Sequence, residues 1–283
     1  MIDFGPAGRC DLMEELGIDI LSVPKFLCDR GITTFEYPLT HGINIGTAKA
    51  KIIGDEFKKY EITLSVHAPY FINFANKDDV MAEKSYGYII SSLKIAHAMG
   101  ADRLVFHPGA LMGQTRAEAQ DLILSRLKVL IERLKTLDLL NGIYLCPETM
   151  GKHGQCGTVS EVAQMCSIDE HFMPTIDFGH VNAFLLGKLD SVEAFKNIFK
   201  ILTDCLGERG KEIHGHFSRI EFGPKGEIKH LNFDSELEFG PDFGQLNRAL
   251  KECNITGRII CESHGHQTVD ALAMKQDYNS IMK

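Results

Sequence analysis

The chain has 283 residues, of which 44% are hydrophobic and 24% are charged, and its formal net charge is −8. This length suits one α/β barrel or two smaller domains. No apolar run is long enough to cross a bilayer and no signal peptide is evident, so we expect a cytoplasmic protein without a membrane partner. The acidic balance argues mildly against a nucleic-acid partner, although bound divalent cations would weaken that argument.

Eight cysteines are scattered along the chain without paired C-x-x-C spacing. Cys146 and Cys261 lie in apolar runs that we expect to be buried strands. We interpret the cysteines as reduced thiols of a protein from a reducing compartment.

Short apolar runs typical of buried strands alternate with longer amphipathic segments. The runs are MIDFG, TTFEY, ITLSVHAP, DRLVFHPG, GIYLCPET, MPTIDFG, EIHGHF and RIICES. The spacing of apolar residues predicts helices over 78–99, ending at Gly100, over 191–206 and over 268–281. Another helix is predicted to begin at a capping box formed by Thr115 and Glu118. Repeated strand–helix units with continuously apolar strands predict a parallel sheet covered by helices.

Eight strand–helix units without a linker or low-complexity stretch predict a TIM barrel. We therefore predict an α/β protein with a single (β/α)8 barrel domain over residues 1–283. A doubly wound sheet is the alternative, but no glycine-rich phosphate-binding motif follows the first run.

Histidines and carboxylates recur at the predicted ends of the strands. The third, fourth and seventh runs reach His67, His107 and His216, and the fifth and eighth reach Glu148 and Glu262. Barrel active sites lie at the carboxyl ends of the strands, so we expect these side chains to converge.

The sixth run, in MPTIDFGHVNAF, ends at Asp177, and His180 follows three residues later. Pro174 before this pair and Gly179 within it argue against a helix. We therefore expect the chain to turn at Gly179, with both side chains just outside the strand.

Several carboxylates in a partly dry site would repel one another and resist ionisation unless cations were bound. Mixed imidazole and carboxylate ligands suit zinc, with manganese or iron as alternatives. More than four ligands indicate more than one ion, and a carboxylate such as Glu148 could bridge two of them. Such ions support either phosphodiester hydrolysis or a metal-assisted isomerisation or epimerisation of a sugar.

The order and spacing of five segments resemble endonuclease IV over essentially the full length of the chain. The segments are SVHAPYFINFAN, LVFHPGA, CPETMGKHGQCGT, TIDFGHVNAFLLG and CESHG. Endonuclease IV is the second family of apurinic/apyrimidinic (AP) endonucleases, within the xylose isomerase-like superfamily. The resemblance implies a monomeric TIM barrel with three zinc ions. It also implies an enzyme of base excision repair that cuts double-stranded DNA 5′ to an abasic site.

The resemblance further implies a role for each matched position. The implied ligands are His67, His107 and Glu148 for the first ion, Glu148, Asp177, His216 and Glu262 for the second, and His180 and His230 for the third. Glu148 would bridge two ions and Glu262 would help to orient the nucleophile, so we predict both as catalytic residues.

Tyr70 and Phe71 match a tyrosine–aliphatic pair that the family inserts into DNA at the lesion. A planar ring and an apolar wedge suit a kinked base step, so we expect these two residues to bind DNA, with ordinary loop packing as the alternative. Basic residues of the predicted loops could contact phosphates, although each could equally be a solvated surface charge. They are Lys77, Arg116, Lys152, Arg219, Lys225 and Lys229.

The chain departs from the family pattern after the seventh strand. Where the family has Asn-Asp behind the strand histidine, this chain has Ser-Arg, and Ile228 stands where a ligand aspartate is expected, two residues before His230. Glu227, Glu221 or His214 could replace that aspartate, so we expect two or three ions.

Two other functions stay open. A sugar isomerase or epimerase of the same superfamily is favoured by the acidic balance and by Glu36, which we expect to put another acid on the rim of the barrel. A non-catalytic barrel that binds metal or nucleic acid is favoured only by the changed region near His230. One ion per chain would favour the isomerase, and two or three would favour the nuclease.

Overall fold

The computed structural model describes residues 1–280, so Ile281, the last residue of the helix predicted over 268–281, lies outside the described residues. Twelve strands occur in residues 1–280. They are β1 (Ile2–Pro6), β2 (Thr34–Pro38), β3 (Thr63–His67), β4 (Arg103–Phe106), β5 (Gly109–Ala110), β6 (Tyr144–Pro147), β7 (Gln155–Cys156), β8 (Thr175–Asp177), β9 (Glu212–Phe217), β10 (Arg219–Gly223), β11 (Gly226–Leu231) and β12 (Thr256–Cys261).

Helices connect the strands along the same part of the chain. They are α1 (Asp11–Glu15), α2 (Val23–Cys28), α3 (Thr47–Lys59), α4 (Asp79–Met99), α5 (Arg116–Thr136), α6 (Val159–Cys166), α7 (Phe178–Phe184), α8 (Val192–Leu206), α9 (Phe243–Glu252) and α10 (Gln267–Ser280), with a 3-10 helix at Gly207–Lys211. Within residues 1–280, no helix is both long and apolar enough to span a membrane.

The barrel is closed by eight parallel strands. Pairing gives two four-stranded sheets, β1-β12-β9-β8 and β2-β3-β4-β6. A parallel bridge between Ala7 and Glu36 joins β1 to β2, and another between Glu148 and Thr175 joins β6 to β8. The ring therefore follows chain order, which confirms the predicted TIM barrel and all eight predicted strands.

The predicted helices are present because their end signals are satisfied. The side chain of Asp78 accepts a hydrogen bond from the Val80 amide at 2.8 Å and begins α4, which ends at Gly100 with a φ of 71°. Thr115 and Glu118 form the predicted capping box at the start of α5. The other two predicted helices are α8 and α10, the latter as far as it is described.

Side chains alternate across the barrel wall because strands have a period of two residues. On β2, Phe35 faces outward and packs on Phe57 of α3, with ring centroids 5.1 Å apart. Glu36, which we expected on the rim, instead points into the barrel and accepts a hydrogen bond from the Ser65 hydroxyl of β3 at 2.8 Å, because it lies in the middle of β2 and not at its end. Branched apolar residues usually fill a barrel interior, so the buried polar residues mark this interior as a specialised one.

Backbone contact between α3 and α4 generates a stability prediction. A Cβ atom at Gly54 would lie 2.1 Å from the Met99 carbonyl oxygen, whereas one at Gly87 would meet nothing within 4 Å. We expect Gly54→Ala to lower the free energy of unfolding by about 1–3 kcal/mol, because the two helices must separate. Gly87→Ala is the matched control and should raise it by about 0.5–1 kcal/mol. Denaturant titration measures both changes, and equal effects would contradict the packing argument.

Candidate metal centre

A cavity of about 550 Å³ opens at the carboxyl ends of the barrel strands. Two of the predicted ligands, Asp177 and His216, are fully buried beside it. The other six predicted ligands line it and are His67, His107, Glu148, His180, His230 and Glu262.

Glu148, which directly follows β6, is the centre of this arrangement. Its Oε2 atom lies 3.1 Å from Nε2 of His67 and 3.1 Å from Nε2 of His107. Its Oε1 atom lies 3.2 Å from Nδ1 of His216 and 3.3 Å from Nδ1 of His180. One carboxylate therefore contacts imidazoles from four separate parts of the chain, as a bridging ligand would.

The described side chains form groups whose ligand atoms lie within 4.8 Å of one another. Three of these groups together contain all eight predicted ligands. They are His67, His107 and Glu148; Glu148, Asp177, His216 and Glu262; and His180, Glu227 and His230. We call them the first, second and third groups.

The second group fits a divalent cation. Asp177 Oδ1 accepts a hydrogen bond from the His180 amide at 2.7 Å, but Asp177 Oδ2 is buried and has no hydrogen-bond partner among residues 1–280. An unpaired buried polar atom costs about 1–3 kcal/mol, and more when it is charged. A cation held with Glu148 and Glu262 would supply the missing partner and offset the repulsion among three carboxylates.

Main-chain carbonyls set the orientation of two imidazoles. His67 Nδ1 donates to its neighbour's carbonyl, that of Ala68, at 2.8 Å, and His180 Nδ1 donates to the Thr149 carbonyl at 2.9 Å. A carbonyl oxygen only accepts, so Nδ1 carries the proton in both rings. Nε2 is therefore the nitrogen that each ring would offer to a cation, in the first and third groups respectively.

The expected turn at Gly179 is wrong. Asp177 ends β8 as predicted, but α7 begins at the next residue with Asp177 as its N-cap, and His180 lies in the first helical turn. Pro174 precedes the strand and so does not disturb the helix. Gly179 does not have a positive φ. It is needed because a Cβ there would lie 3.0 Å from the Ser218 carbonyl oxygen.

Glu227 joins the third group because β11 contains a β-bulge. The pairing with β10 shifts by one residue at Ile228, which has no partner on β10. In a regular strand, Glu227 and His230 would face opposite sides. The extra residue brings them to the same side, and Glu227 Oε2 lies 3.5 Å from His180 Nε2. Ile228 is 57% exposed, so the expected aspartate position faces solvent in this chain.

The other two candidates for that missing ligand do not enter the third group. Glu221 Oε2 lies 3.3 Å from Lys229 Nζ, and His214 lies inside the barrel, 2.9 Å from Glu36 Oε2. The hairpin of β10 and β11 is held over the site by main-chain bonds, among them the Glu227 amide to the Gly151 carbonyl at 3.0 Å. Its position is therefore set by the loop that follows β6.

Two aromatic residues project from the loop after β3. Tyr70 and Phe71 are 47% and 55% exposed, so neither is packed into the core. The Tyr70 ring stacks beside His107 at a centroid distance of 6.0 Å, and Phe71 contacts Tyr88 at 5.7 Å. Tyr70 therefore stands at the entrance of the cavity, and Phe71 next to it packs against α4.

The two arginines among the predicted phosphate-binding residues form hydrogen bonds within the protein. Arg116 donates to a Glu161 oxygen at 3.0 Å and to the His153 carbonyl at 2.9 Å. Arg219 donates to the Phe239 carbonyl at 2.8 Å, and through other nitrogens to nearby carbonyls. Lys152, in contrast, lines the cavity.

Sequence reasoning missed several polar residues of the cavity wall, among them His264, Gln155 and Gln267. His264 stands two residues after Glu262 in CESHG, so its place just beyond a strand end was the available signal. The two glutamines carry no comparable signal because amides are common in loops.

Burial and charge shift the protonation of the site. Burial raises the pKa of Glu262 to about 8, and the charge of Glu148 adds to this rise against the opposing effect of His216. Burial opposes a charge on His67, but the hydrogen bond and charge of Glu148 outweigh it and raise its pKa to about 8. Burial likewise opposes ionisation of Glu148, yet the charge of His216 above all holds its pKa well below the usual range.

The class of protein follows from the fold and from comparison with known proteins. The chain belongs to the xylose isomerase-like TIM barrel family, whose family model matches residues 10–281. It is 31% identical over 229 residues to an uncharacterized protein of Methanocaldococcus jannaschii, covering 80% of this chain and 81% of that protein. It is 28% identical over 240 residues to a probable endonuclease 4 of Mycoplasmoides gallisepticum, covering 76% of this chain and 77% of that protein. The resemblance to endonuclease IV is confirmed.

Solved structures show the same fold with two different activities. A D-tagatose 3-epimerase-like protein matches with a TM-score of 0.74 at 20% identity, covering 99% of this chain and 98% of that one. Endonuclease IV from Thermus thermophilus matches with a TM-score of 0.66 at 15% identity, covering 93% and 94%. At these identities the likeness shows the fold alone, so the reaction must be argued from the site.

The raised pKa values predict that zinc uptake releases protons. Glu262 and His67 hold protons below about pH 8, and a carboxylate or imidazole must lose its proton to bind a cation. The apparent zinc affinity should therefore rise as the pH rises through about 8. Calorimetry with chelator-buffered zinc, in buffers of different ionisation enthalpy, measures both affinity and proton release. Equal affinity across that range with no proton release would contradict the prediction.

Proposed function

We propose that this chain is a metal-dependent AP endonuclease that hydrolyses the phosphodiester 5′ to an abasic site in double-stranded DNA during base excision repair. The third group, formed by His180, Glu227 and His230, is the observation that carries the proposal. An isomerase that needs one ion has no use for it. Zinc suits the donor set, with manganese or iron as alternatives.

The proposal assigns each group a role. The first group would hold one ion, the second group another, and the third group a third, with Glu148 shared between the first two. Bound cations would lower the pKa of water and offset the charge that develops on the phosphate. Glu262 has a 20% accessible side chain against 1% for Glu148, so Glu262 is the carboxylate that can touch and orient an attacking water.

Residues at the entrance would position the DNA. Tyr70 and Phe71 are exposed aromatics that can stack on a base or fill the gap left at an abasic site. Lys152 can contact a phosphate from the cavity wall. A monomer, a cytoplasmic location, the absence of a membrane partner and one domain over residues 1–283 belong to the same proposal.

A metal-dependent sugar isomerase or epimerase is the second candidate. The cavity of about 550 Å³ has the size of a small-molecule site, and amide and imidazole groups of Gln155, Gln267 and His264 line it. Such groups can bind sugar hydroxyls. Internal pairing of Arg116 and Arg219 also leaves fewer cations for a DNA backbone. Under this proposal Glu227 supplies the carboxylate of the third group, so the changed region near His230 no longer favours the non-catalytic alternative.

Nicking of abasic DNA tests the proposed reaction. Zinc-loaded protein should cut a duplex that carries a tetrahydrofuran abasic site, on its 5′ side. Asp177→Ala should reduce the rate by more than the roughly 10–100-fold that loss of an outer-shell partner costs, because it removes a proposed ligand. The same substitution at Asp121, which is exposed on α5, is the matched control and should leave the rate unchanged. A protein that binds two or more ions but never cuts this duplex would contradict the proposal.

Metal counting tests the third group separately. We expect three zinc ions per chain in the wild type and two in Glu227→Ala, because the bulge makes Glu227 the carboxylate of that group. Glu221→Ala removes a carboxylate from the same hairpin outside the group and should still bind three. Elemental analysis of dialysed protein gives the number. A wild type with one ion per chain would favour the isomerase, and an unchanged count in Glu227→Ala would exclude Glu227 as a ligand.

A further inference from the structure

A network of buried polar side chains inside the barrel contacts the second group. The proposed reaction does not use this network. It consists of Glu36 on β2, Ser65 on β3, Arg103 on β4 and His214 on β9, and all four are buried. We call it the interior network. It meets the second group at His216, which lies two residues after His214 on β9.

Hydrogen bonds give this network a direction. Arg103 Nη1 donates to the Ile213 carbonyl at 3.1 Å and lies 3.4 Å from His214 Nδ1. A guanidinium has no acceptor, so Nδ1 of His214 must be the acceptor and the ring proton must be on Nε2. His214 Nε2 then donates to Glu36 Oε2 at 2.9 Å, and the Ser65 hydroxyl donates to the same oxygen at 2.8 Å.

The other oxygen of Glu36 faces His216. Glu36 Oε1 lies 3.0 Å from His216 Nε2, which is an ion-pair distance, and neither atom has a hydrogen bond of regular geometry among residues 1–280. Both atoms are buried, and leaving them unpaired would cost about 1–3 kcal/mol each. At 3.0 Å each atom is within reach of the other, and Nε2 of His216 would be the donor because a carboxylate only accepts.

We propose that Glu36 is the positioning residue of His216, holding the proton on Nε2 and directing Nδ1 toward the cation of the second group. His216 Nδ1 already faces that group, at 3.2 Å from Glu148 Oε1 and 3.4 Å from Glu262 Oε1. The inference rests on the proposed metal-dependent function. It assigns Glu36 a role in metal binding without contact with the metal.

Comparison with the other imidazoles explains why a carboxylate stands here. His67 and His180 are oriented by main-chain carbonyls of the segments that follow β3 and β6, those of Ala68 and Thr149. His216 is within β9, where the main-chain carbonyls pair with neighbouring strands, so its outer partner must come from a side chain across the barrel. A carboxylate partner also makes the imidazole a stronger ligand. That gain gives a reason for a buried charge, which is otherwise costly.

Glu36→Gln tests this role. An amide cannot accept from both imidazoles through separate oxygens, so His216 should lose its fixed orientation. We expect the zinc affinity of the second group to fall by about 10–100-fold in chelator competition. Ser65→Ala is the matched control because it removes a bond to the oxygen that faces away from His216, and it should retain the wild-type affinity. Equal zinc affinity in Glu36→Gln and wild type would overturn the inference.

A spectroscopic measurement on the wild type covers the case in which the variant does not fold. Nitrogen-15 NMR of the cadmium-113-loaded protein should show His216 with a proton on Nε2 and cadmium coupling at Nδ1. A proton on Nδ1, or cadmium coupling at Nε2, would overturn the inference whatever the variant does.

The zinc count of the wild type separates this inference from the proposed function. A wild type that binds no zinc would overturn both. A wild type that binds zinc and cuts abasic DNA, with Glu36→Gln unchanged in affinity, would overturn the role of Glu36 alone. Glu36, His214 and His216 also lie close enough to be ligands themselves. Four zinc ions in the wild type and three in Glu36→Gln would make Glu36 a ligand and overturn its role as a positioning residue.

Discussion

The buried carboxylate of Glu148 is the interaction on which the site depends. It contacts the imidazoles of β3, β9 and α7 and the one that directly follows β4. The site is therefore complete only when the barrel is closed. Burial makes a lone carboxylate costly, and the surrounding imidazoles offset that cost. Separating the groups that share Glu148 would therefore leave the buried charge of its carboxylate uncompensated.

A single extra residue decides how this chain differs from the family pattern. The bulge at Ile228 turns Glu227 toward His180 and exposes the position where a ligand aspartate is expected. The carboxylate therefore stands three residues before His230 instead of two, and the shift in strand register keeps both side chains on the same side. By the family pattern this ligand set lacks its aspartate. In the structure, His180, Glu227 and His230 nevertheless lie together.

Overall shape does not separate the two reactions that this family supports. The chain resembles an epimerase-like protein and an endonuclease IV with TM-scores of 0.74 and 0.66. The features that bear on the reaction are local: the third group, the exposed aromatic pair Tyr70 and Phe71, and the two arginines that form hydrogen bonds within the protein. The third group and the aromatic pair favour the endonuclease, whereas the paired arginines favour the isomerase. The metal count and the substrate test therefore carry more weight than fold similarity.

The sequence by itself determined the eight strands, the helix caps and the residues at the strand ends. These features depend on local periodicity, and parallel strands in a ring bring their carboxyl ends together whatever the details of packing. Only the tertiary structure decided that His180 lies in a helix, that Glu227 lies beside His180, and that Glu36 reaches His216 across the barrel. A helix that begins directly after a strand, a one-residue bulge and a contact between strands far apart in sequence depend on non-local packing, which leaves no periodic trace in the chain.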